Sequence, residues 1–251
     1  ENQFFKAQTY PTEADIFIIA VPTPFKKRND TDPKPDISFV INAVESIIPF
    51  LRKDNLVILE STSPVGTTDL ISDMIFKKTH LKNNELNVAY CPERVLPGNI
   101  LNEIKFNDRV IGGINKESAL VAKEFYSNFC EGKFSLTNTK TAELVKLTEN
   151  SFRDVNLAFA NELSMICSHL NIDSNELIKI ANYHPRVNIL QPGPGVGGHC
   201  IAVDPWFIIS NVPNKSTLIR TAREVNNKKT NWVIDQIKTA SYEFELKFNK
   251  K

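Results

Sequence analysis

The sequence predicts an α/β domain with a mainly parallel sheet, followed by an all-α domain built around one long helix. Three observations support this fold class. Short apolar runs alternate with amphipathic segments as far as about residue 138. Helical periodicity then continues without Gly or Pro from residue 139 to 170, and it resumes from residue 216 to about 247. We therefore expect two domains, residues 1–138 and 139–251.

In the first domain, strands alternate with helices of ten to fifteen residues, which is typical of βαβ units. The strands are apolar throughout rather than alternating, so we expect both faces of the sheet to be covered. The predicted strands are residues 16–21, 56–59, 86–90, 109–111 and 133–136, and the predicted helices are residues 37–51, 67–76 and 118–129.

In the second domain, the long helix of residues 139–170 is followed by a shorter one over residues 173–182, with Asp173 or Ser174 as its cap. Residues 183–206 are rich in Pro and Gly and lack periodicity, so they are predicted to form a loop. Residues 216–247 return to a helical pattern.

Composition excludes several classes of function. The 251 residues carry a net charge of +1, which gives no electrostatic basis for a nucleic-acid or membrane-surface partner. No apolar run reaches the roughly 18 residues of a membrane helix, and no secretory signal is visible. We expect a cytoplasmic protein, because its four cysteines suit a reducing compartment.

No metal site is expected either. The cysteines form no C-x-x-C pair that would indicate zinc. Asp30 and Asp32 resemble the start of a calcium loop, but the segment lacks Gly at the sixth position and has Ile41 at the twelfth.

Four of the nine glycines lie within residues 193–198, where they spell G-x-G-x-x-G. A dinucleotide fingerprint needs a strand before the glycines and a helix after them, and neither flank has that pattern. Because Pro192 and Pro194 stiffen the segment, it is better explained as a shaped loop whose backbone approaches something closely than as a flexible linker.

Cys200 follows this loop, with His199 beside it and Asp204 close behind. The ordinary role of a single cysteine is that of a small buried side chain, and we assign that role to Cys130 and Cys167. For Cys200 the pattern leaves two possibilities open, a buried thiol or a nucleophile activated by its polar surroundings.

Polar residues on the long helix form the second candidate feature. Lys146, Asn150 and Arg153 are spaced i, i+4 and i+7 and so share one face. Taken alone, this stripe is explained most simply as a solvated face.

Turns after three of the predicted strands are the third candidate feature. They span residues 21–24, 61–68 and 91–94, at the carboxyl edge where parallel sheets bind ligands. Thr68, near a helix start, is placed either to meet a phosphate or to cap the helix.

Six segments taken together resemble the UDP-glucose/GDP-mannose dehydrogenase family, which oxidises nucleotide sugars. The resemblance covers essentially the whole chain. It is carried by residues 19–25 (IAVPTPF), 60–66 (ESTSPVG), 91–98 (CPERVLPG), 107–113 (NDRVIGG), 142–164 (AELVKLTENSFRDVNLAFANELS) and 184–207 (HPRVNILQPGPGVGGHCIAVDPWF). It implies a partial Rossmann-like NAD-binding domain followed by a helical central domain that forms a homodimer.

The resemblance also implies a reaction, the four-electron oxidation of a primary alcohol to a carboxylate with two NAD⁺. Cys200 matches the family's nucleophile, which captures the aldehyde as a thiohemiacetal that is oxidised to a thioester. Lys146 and Asn150 match the groups that stabilise the oxyanion, and Lys146 also exchanges a proton. Asp204 matches the acid that organises water and base, and Glu93 matches the acid that assists thioester hydrolysis.

Further matches concern binding. The positions that match substrate contacts are Arg94, Val95, Lys146, Asn150, Arg153, His184, Arg186 and Gly197. The positions that match or adjoin cofactor contacts are Thr23, Thr62 and Thr68.

Two departures from the UDP-glucose branch bear on the substrate. That branch has a second Glu where this chain has Pro97, and a Lys where it has Val203. We therefore expect oxidation of UDP-N-acetyl-D-mannosamine to UDP-N-acetyl-D-mannosaminuronate, a precursor of surface polysaccharide. The alternatives are UDP-glucose or another nucleotide sugar, a two-electron β-hydroxyacid dehydrogenase that needs no thiol, and an inactive dimerisation fragment.

Complete family members begin with a strand, a G-x-G-x-x-G turn and a helix, and end with a further nucleotide-sugar-binding domain. We expect about 60 residues to be missing before Glu1 and that last domain to be missing after Lys251. The isolated chain is accordingly expected to bind NAD⁺ weakly and to have little activity.

Overall fold

The computed structural model describes residues 5–26, 32–95 and 98–248. It divides the chain into two units, Glu1–Leu147 and Thr148–Lys251. Residue 138, where the sequence places the domain boundary, is the last residue of a strand. The division between the units falls later, inside a continuous helix, so the two domain ranges stay a prediction.

The first unit contains a five-stranded sheet whose spatial order follows the chain. Three of its four pairings are parallel, which confirms a mainly parallel sheet, and the pairing between the third and fourth strands is antiparallel. The strands are β1 (Ile16–Ile19), β2 (Leu56–Leu59), β3 (Asn87–Tyr90), β4 (Arg109–Gly113) and β5 (Phe134–Asn138).

The antiparallel pairing has a local cause. A parallel pair needs a crossover element that packs on the sheet. The described residues between β3 and β4 form only one short helix, Ile100–Phe106, which the sequence pattern did not predict and which buries none of its residues. The chain therefore re-enters the sheet in the opposite direction, with Ala89 opposite Gly113.

Helices cover both faces of the sheet, as the apolar strands predicted. All four residues of β2 are buried, and alternate side chains point to opposite faces. Val57 and Leu59 belong to one apolar cluster, and Leu56 and Ile58 to another. The helices of this unit are α1 (Ser38–Ile47, continued by a 3₁₀ turn at Ile48–Phe50), α2 (Thr67–Lys78), α3 (Ile100–Phe106) and α4 (Lys116–Ser127).

The second unit is helical. Helix α5 has the bounds that the sequence predicts, and Asp173 caps α6 by accepting the backbone N–H of Asn175 at 2.8 Å. The helices are α5 (Thr139–Leu170, which begins in the first unit), α6 (Ser174–Ala181), α7 (Asp204–Asn211) and α8 (Thr217–Phe248).

The predicted loop of residues 183–206 is too long at its carboxyl end, because α7 begins at Asp204. Proline is tolerated in the first turn of a helix, so Pro205 does not prevent it. The helix buries six of its eight residues and therefore shows no amphipathic period. Across the described ranges, no helix is both long and apolar enough to cross a membrane.

Candidate active site

The loop between α6 and α7 carries the exposed thiol. Gly198, two residues before Cys200, has a φ of +89°, a conformation that favours glycine. A Cβ on Gly195 would lie 2.2 Å from Thr230 Oγ1, so the loop backbone packs tightly against α8. This confirms the predicted close approach. No strand precedes the glycines in the described part of this unit, and the next helix begins only at Asp204, so the G-x-G-x-x-G match is not a dinucleotide fingerprint.

Three asparagines hold this loop through its backbone. Asn156 accepts the N–H of Leu190 at 3.2 Å, and Asn161 accepts the N–H of Gly193 at 2.9 Å. Asn182 accepts from and donates to Ile189, at 2.8 and 2.9 Å. These residues were not among those predicted from the sequence. Asn is disfavoured in helix interiors, so its recurrence in the predicted helices was the available clue.

The four cysteines are free thiols, and only Cys200 is exposed. Cys130 and Cys167 are buried, which confirms the role assigned to them. Cys91 is also buried, and burial raises the pKa of its thiol to about 11. Since the thiolate is the nucleophile, exposure makes Cys200 the one cysteine placed to react with a ligand.

Asp204 and Asn150 form a buried pair at the turn that begins at Cys200. The backbone N–H of Asp204 donates to the carbonyl of Cys200 at 2.9 Å, which closes the turn between them. Asn150 Nδ2 donates to Asp204 Oδ2 at 2.5 Å, and the two residues are 8% and 3% exposed. A carboxylate in the first turn of α7 is also stabilised by the helix dipole. The structure therefore joins Asn150, Asp204 and the Cys200 turn in one arrangement.

The polar stripe on α5 is not a uniformly solvated face. Lys146 is half-buried, Asn150 is buried and Arg153 is exposed. The solvated-face explanation therefore fails for Asn150, whose amide is committed to Asp204.

A buried ion pair lies behind the loop. Arg223 Nη1 donates to Asp154 Oδ1 at 2.6 Å, and Asn226 Nδ2 donates to the same oxygen at 2.8 Å. Asn226 also accepts from Asn161, the residue that holds Gly193. Burial raises the pKa of Asp154, and the Arg223 guanidinium opposes that shift. This network was not predicted from the sequence, although Arg223 and Asn226 are spaced to share a helix face.

In the first unit, the turns that follow β1 and β2 meet at the carboxyl edge of the sheet. Thr23 Oγ1 donates to the carbonyl oxygen of Thr62 at 2.7 Å and so links the two turns. Thr62 is half-buried, and its hydroxyl has no hydrogen bond to the described residues. A free hydroxyl at this edge fits the binding of a polar cofactor.

Thr68 has a different environment. It is fully buried, and both its hydroxyl and its backbone N–H donate to Glu143 Oε1 at 2.7 Å. Gly66 N–H donates to the other carboxylate oxygen at 2.6 Å. The anion at the amino end of α2 is therefore a carboxylate of the chain itself, and a cofactor contact by Thr68 stays a prediction.

The turn after β3 carries the other predicted acid. Glu93 is exposed, and both of its carboxylate oxygens accept the backbone N–H of Val95, at 2.9 and 2.8 Å. Arg94 is half-buried and donates to the carbonyl of Asp108 at 3.0 Å. Pro97 lies outside the described residues.

The remaining predicted contacts belong to the loop that carries Cys200. His184, Arg186 and Gly197 are all exposed, and His184 Nδ1 accepts the backbone N–H of Arg186 at 3.3 Å. The side chains of His184 and Arg186 and the backbone of Gly197 are therefore accessible to a ligand. Asp30 lies outside the described residues, and among those described no cluster of three His, Cys, Asp or Glu side chains is arranged to hold a metal ion.

These features define a class of protein, one with a Rossmann-like sheet followed by a helical domain that presents a thiol. Comparison with known proteins supports and narrows this class. Residues 1–130 match the NAD binding domain of the UDP-glucose/GDP-mannose dehydrogenase family, and residues 140–228 match its central domain. The chain belongs to the UDP-glucose/GDP-mannose dehydrogenase family.

Similar proteins include two curated relatives. The chain is 56% identical to the UDP-N-acetyl-D-mannosamine dehydrogenase of Escherichia coli K12 over 96% of its own length and 58% of the relative's. It is 50% identical to an NDP-N-acetyl-D-galactosaminuronic acid dehydrogenase of Ralstonia nicotianae, with the same two coverages. The chain thus spans somewhat more than half the length of these relatives.

A solved structure agrees in fold. The UDP-D-ManNAc dehydrogenase of Pyrococcus horikoshii superposes with a TM-score of 0.87 at 39% identity, over 92% of this chain and 55% of that one. This similarity supports both the sheet and the helical domain.

Proposed function

We propose that the protein carrying this chain is an NAD-dependent nucleotide-sugar 6-dehydrogenase. Its proposed reaction oxidises UDP-N-acetyl-D-mannosamine to UDP-N-acetyl-D-mannosaminuronate, a precursor of surface polysaccharide. The observation that carries the proposal is the arrangement of an exposed Cys200 beside the buried pair of Asp204 and Asn150.

The reaction balances as follows. The C6 alcohol loses a hydride and a proton to give an aldehyde. The Cys200 sulfur adds to the aldehyde carbon, and the thiohemiacetal loses a second hydride and proton to become a thioester. Water then displaces the thiol and leaves a carboxylate. Overall, one alcohol, one water and two NAD⁺ give one carboxylate, two NADH and three protons.

Asn150 stabilises the oxygen that becomes negative when sulfur or water adds to the carbonyl carbon. Its amide nitrogen carries two N–H bonds, and one of them is committed to Asp204. The Asp204 carboxylate thereby fixes the rotation of the amide, which leaves the second N–H for the oxyanion.

Lys146, four residues before Asn150 on α5, supplies a positive charge to the same oxyanion and exchanges the alcohol proton. Asp204 helps to organise the attacking water, and Glu93 assists thioester hydrolysis. Glu93 is exposed, and among the described residues its carboxylate accepts only the backbone N–H of Val95.

The remaining predicted residues bind the reactants. Arg153, His184 and Arg186 are exposed and carry donors suited to a diphosphate and a sugar, whereas Gly197 lets the backbone approach them. Arg94 and Val95 bind the nucleotide sugar from the turn after β3.

Thr23, Thr62 and Thr68 are the residues proposed to hold NAD⁺, which accepts both hydrides when it is bound. Thr62 has the free hydroxyl for this role.

Replacing the thiol tests the proposal. NADH formation from UDP-N-acetyl-D-mannosamine should fall roughly a thousandfold or more in Cys200→Ser, because the weaker hydroxyl nucleophile does not trap the aldehyde. Cys167→Ala is the matched control, since it removes a buried thiol of the same unit and should retain activity. Intact mass spectrometry during turnover should find the substrate acyl group on Cys200.

An enzyme indifferent to Cys200→Ser would instead be a two-electron dehydrogenase, and the thioester route would be wrong. UDP-N-acetyl-D-galactosamine and UDP-glucose should be assayed in parallel, because the two curated relatives named above differ in their hexosamine. Preference for either of these sugars would show that the proposed substrate is wrong, but the proposed reaction steps would still hold.

A homodimer is also part of the proposal. The last third of α8 exposes Ile237, Tyr242, Phe244 and Leu246, and a second copy would cover these apolar side chains. Sedimentation of the protein should give a dimer mass, and a monomer at micromolar concentration would contradict this.

The free thiols favour a cytoplasmic location.

A further inference from the structure

A cavity that Cys200 does not line lies in the helical unit. Its volume is about 540 Å³, and its wall is formed by α5, α6, α8 and the start of the glycine loop. Ser164 on its wall is fourteen residues along α5 from Asn150, which corresponds to about 21 Å of helix. The lining residues that matter here are Ser164, Ser168, Ser174, Pro194, Lys229 and Trp232.

Lys229 is a buried cation on this wall. It is only 4% exposed, and its Nζ donates to Ser164 Oγ at 2.6 Å. The hydroxyl of Ser164 gives its own hydrogen to the carbonyl of Asn161, so its oxygen is a true acceptor for the ammonium. The ammonium also lies 3.9 Å from the centre of the Trp232 ring. No carboxylate within the described ranges pairs with it.

Among the described residues, a hydroxyl and an aromatic face are the contacts of this ammonium, so its charge is poorly compensated. Burial of an ion without a counter-charge is unfavourable, and the arrangement accordingly lowers the pKa of Lys229. An anion entering the cavity would supply the missing charge.

The rest of the wall suits an organic anion. Ser168 and Ser174 add hydroxyls, and Ser174 opens α6, whose amino end attracts negative charge. Asp173 also borders the cavity, but its Oδ1 accepts the N–H of Asn175 in the cap. Trp232 and Pro194 offer flat, apolar surfaces for the body of a ligand.

We propose that this cavity binds a small organic anion, whose phosphate or carboxylate group contacts Lys229 and whose planar or apolar body packs on Trp232. The site is separate from the proposed catalytic residues and does not depend on them. Pro194 belongs to the same loop as Cys200, so an occupant would contact the segment that carries the thiol.

Fluorescence of Trp232 tests this directly. Trp206 is the other tryptophan of the chain, and Trp206→Phe leaves Trp232 as the single reporter. Phenyl phosphate, benzoate and inorganic phosphate are titrated, with neutral benzamide as the control. We expect saturable changes in emission with phenyl phosphate or benzoate, a weaker response to inorganic phosphate and none with benzamide. The phenyl phosphate and benzoate titrations show which anionic group the site prefers.

Charge removal gives the decisive comparison. Lys229→Met should weaken anion binding by about tenfold or more, because it replaces a charged hydrogen-bond donor with an uncharged side chain of similar length. Lys228→Met, which removes the exposed neighbouring cation, should change it by less than about twofold. Arg153→Met should also leave binding unchanged, which separates this cavity from the proposed substrate contacts.

A second substitution keeps the test independent of how Lys229→Met folds. Ser168→Glu places a carboxylate of the chain on the cavity wall, so it should abolish anion binding without lowering the melting temperature. Ser168→Gln should retain binding. The proposal is overturned if benzamide binds as well as benzoate, if Lys229→Met binds like the parent, or if no anion binds in the millimolar range.

Discussion

Helix α5 carries two fully buried carboxylates, Glu143 in the first unit and Asp154 in the second, and the two are stabilised in different ways. Glu143 accepts three hydrogen bonds from neutral groups, the N–H of Gly66 and the N–H and hydroxyl of Thr68. Asp154 is paired with the Arg223 guanidinium and accepts one amide donor from Asn226. The charge of Glu143 is therefore compensated by the dipoles of N–H and O–H groups, whereas the charge of Asp154 is compensated by a cation.

The difference matters when a partner is removed. The donors around Glu143 carry no net charge, so losing the carboxylate leaves unpaired polar groups only. Loss of Asp154 would leave a guanidinium that is 3% exposed without its counter-charge. The ion pair is also imperfectly satisfied, because Asp154 Oδ2 and Arg223 Nε have no hydrogen-bond partner among the described residues. The surroundings of Asp154 therefore depend on charge balance, whereas those of Glu143 depend on neutral donors positioned by the start of α2.

The largest expected effect is at the ion pair. Asp154→Leu should lower the free energy of unfolding by about 3–5 kcal/mol, because it strands a buried cation. The double variant Asp154→Leu with Arg223→Met should recover most of that loss, since two apolar side chains replace an incompletely bonded pair. Urea denaturation followed by circular dichroism measures both values.

Glu162→Gln is the matched control, because Glu162 lies exposed on the same helix and its loss should cost less than about 0.5 kcal/mol. If the double variant is as unstable as Asp154→Leu, the stranded charge is not the cause, and the contrast between the two carboxylates disappears.

The fold was largely predictable where its causes are local. The bounds of α5 followed from 32 residues of uninterrupted helical pattern, and β2 from four apolar residues before a turn. The antiparallel β4 was not predictable, because it depends on α3 failing to cover the sheet. Helix α7 is apolar all round and has no period that reveals it.

In the candidate site, the close packing of the glycine loop could be predicted from residue types alone. The same pattern left open whether Cys200 is buried or reactive, and the structure exposes it. The contact of Asn150 with Asp204 joins residues 54 positions apart, and the contact of Asp154 with Arg223 joins residues 69 apart. Such pairs leave no local pattern, since each partner is an ordinary polar residue of its helix. Sequence patterns can therefore indicate candidate residues, but only the packing of helices decides which of them come into contact.

A smaller effect on the free energy of unfolding is expected at Glu143, the carboxylate that is bonded to neutral donors. Glu143→Gln keeps one acceptor oxygen but turns an NH₂ group toward a backbone or hydroxyl donor, which should cost about 1–3 kcal/mol. The same urea experiment measures it. Glu117→Gln is the control, because Glu117 is an exposed carboxylate in the first turn of α4 and its removal should cost less than about 1 kcal/mol. If Glu143→Gln lowers the free energy of unfolding as much as Asp154→Leu does, removing a carboxylate bonded to neutral donors is as destabilising as removing one from an ion pair.

The smallest expected effect is a change with pH in the destabilisation caused by Glu143→Gln. Burial raises the pKa of Glu143 above its ordinary value of 4.5, although the three donors oppose the shift. The folded state then holds the proton more tightly than the unfolded state, so stability falls as the pH rises from 4.5 through the folded pKa. Gln does not titrate, and the cost of Glu143→Gln should therefore be largest in acid and decrease by at most about 1.4 kcal/mol per pH unit across this window. Urea denaturation of both proteins at several pH values gives the difference, in which the other titrating groups largely cancel. A cost that grows with pH would show instead that the donors at the start of α2 outweigh burial, so that the dipole-held carboxylate is the better compensated of the two.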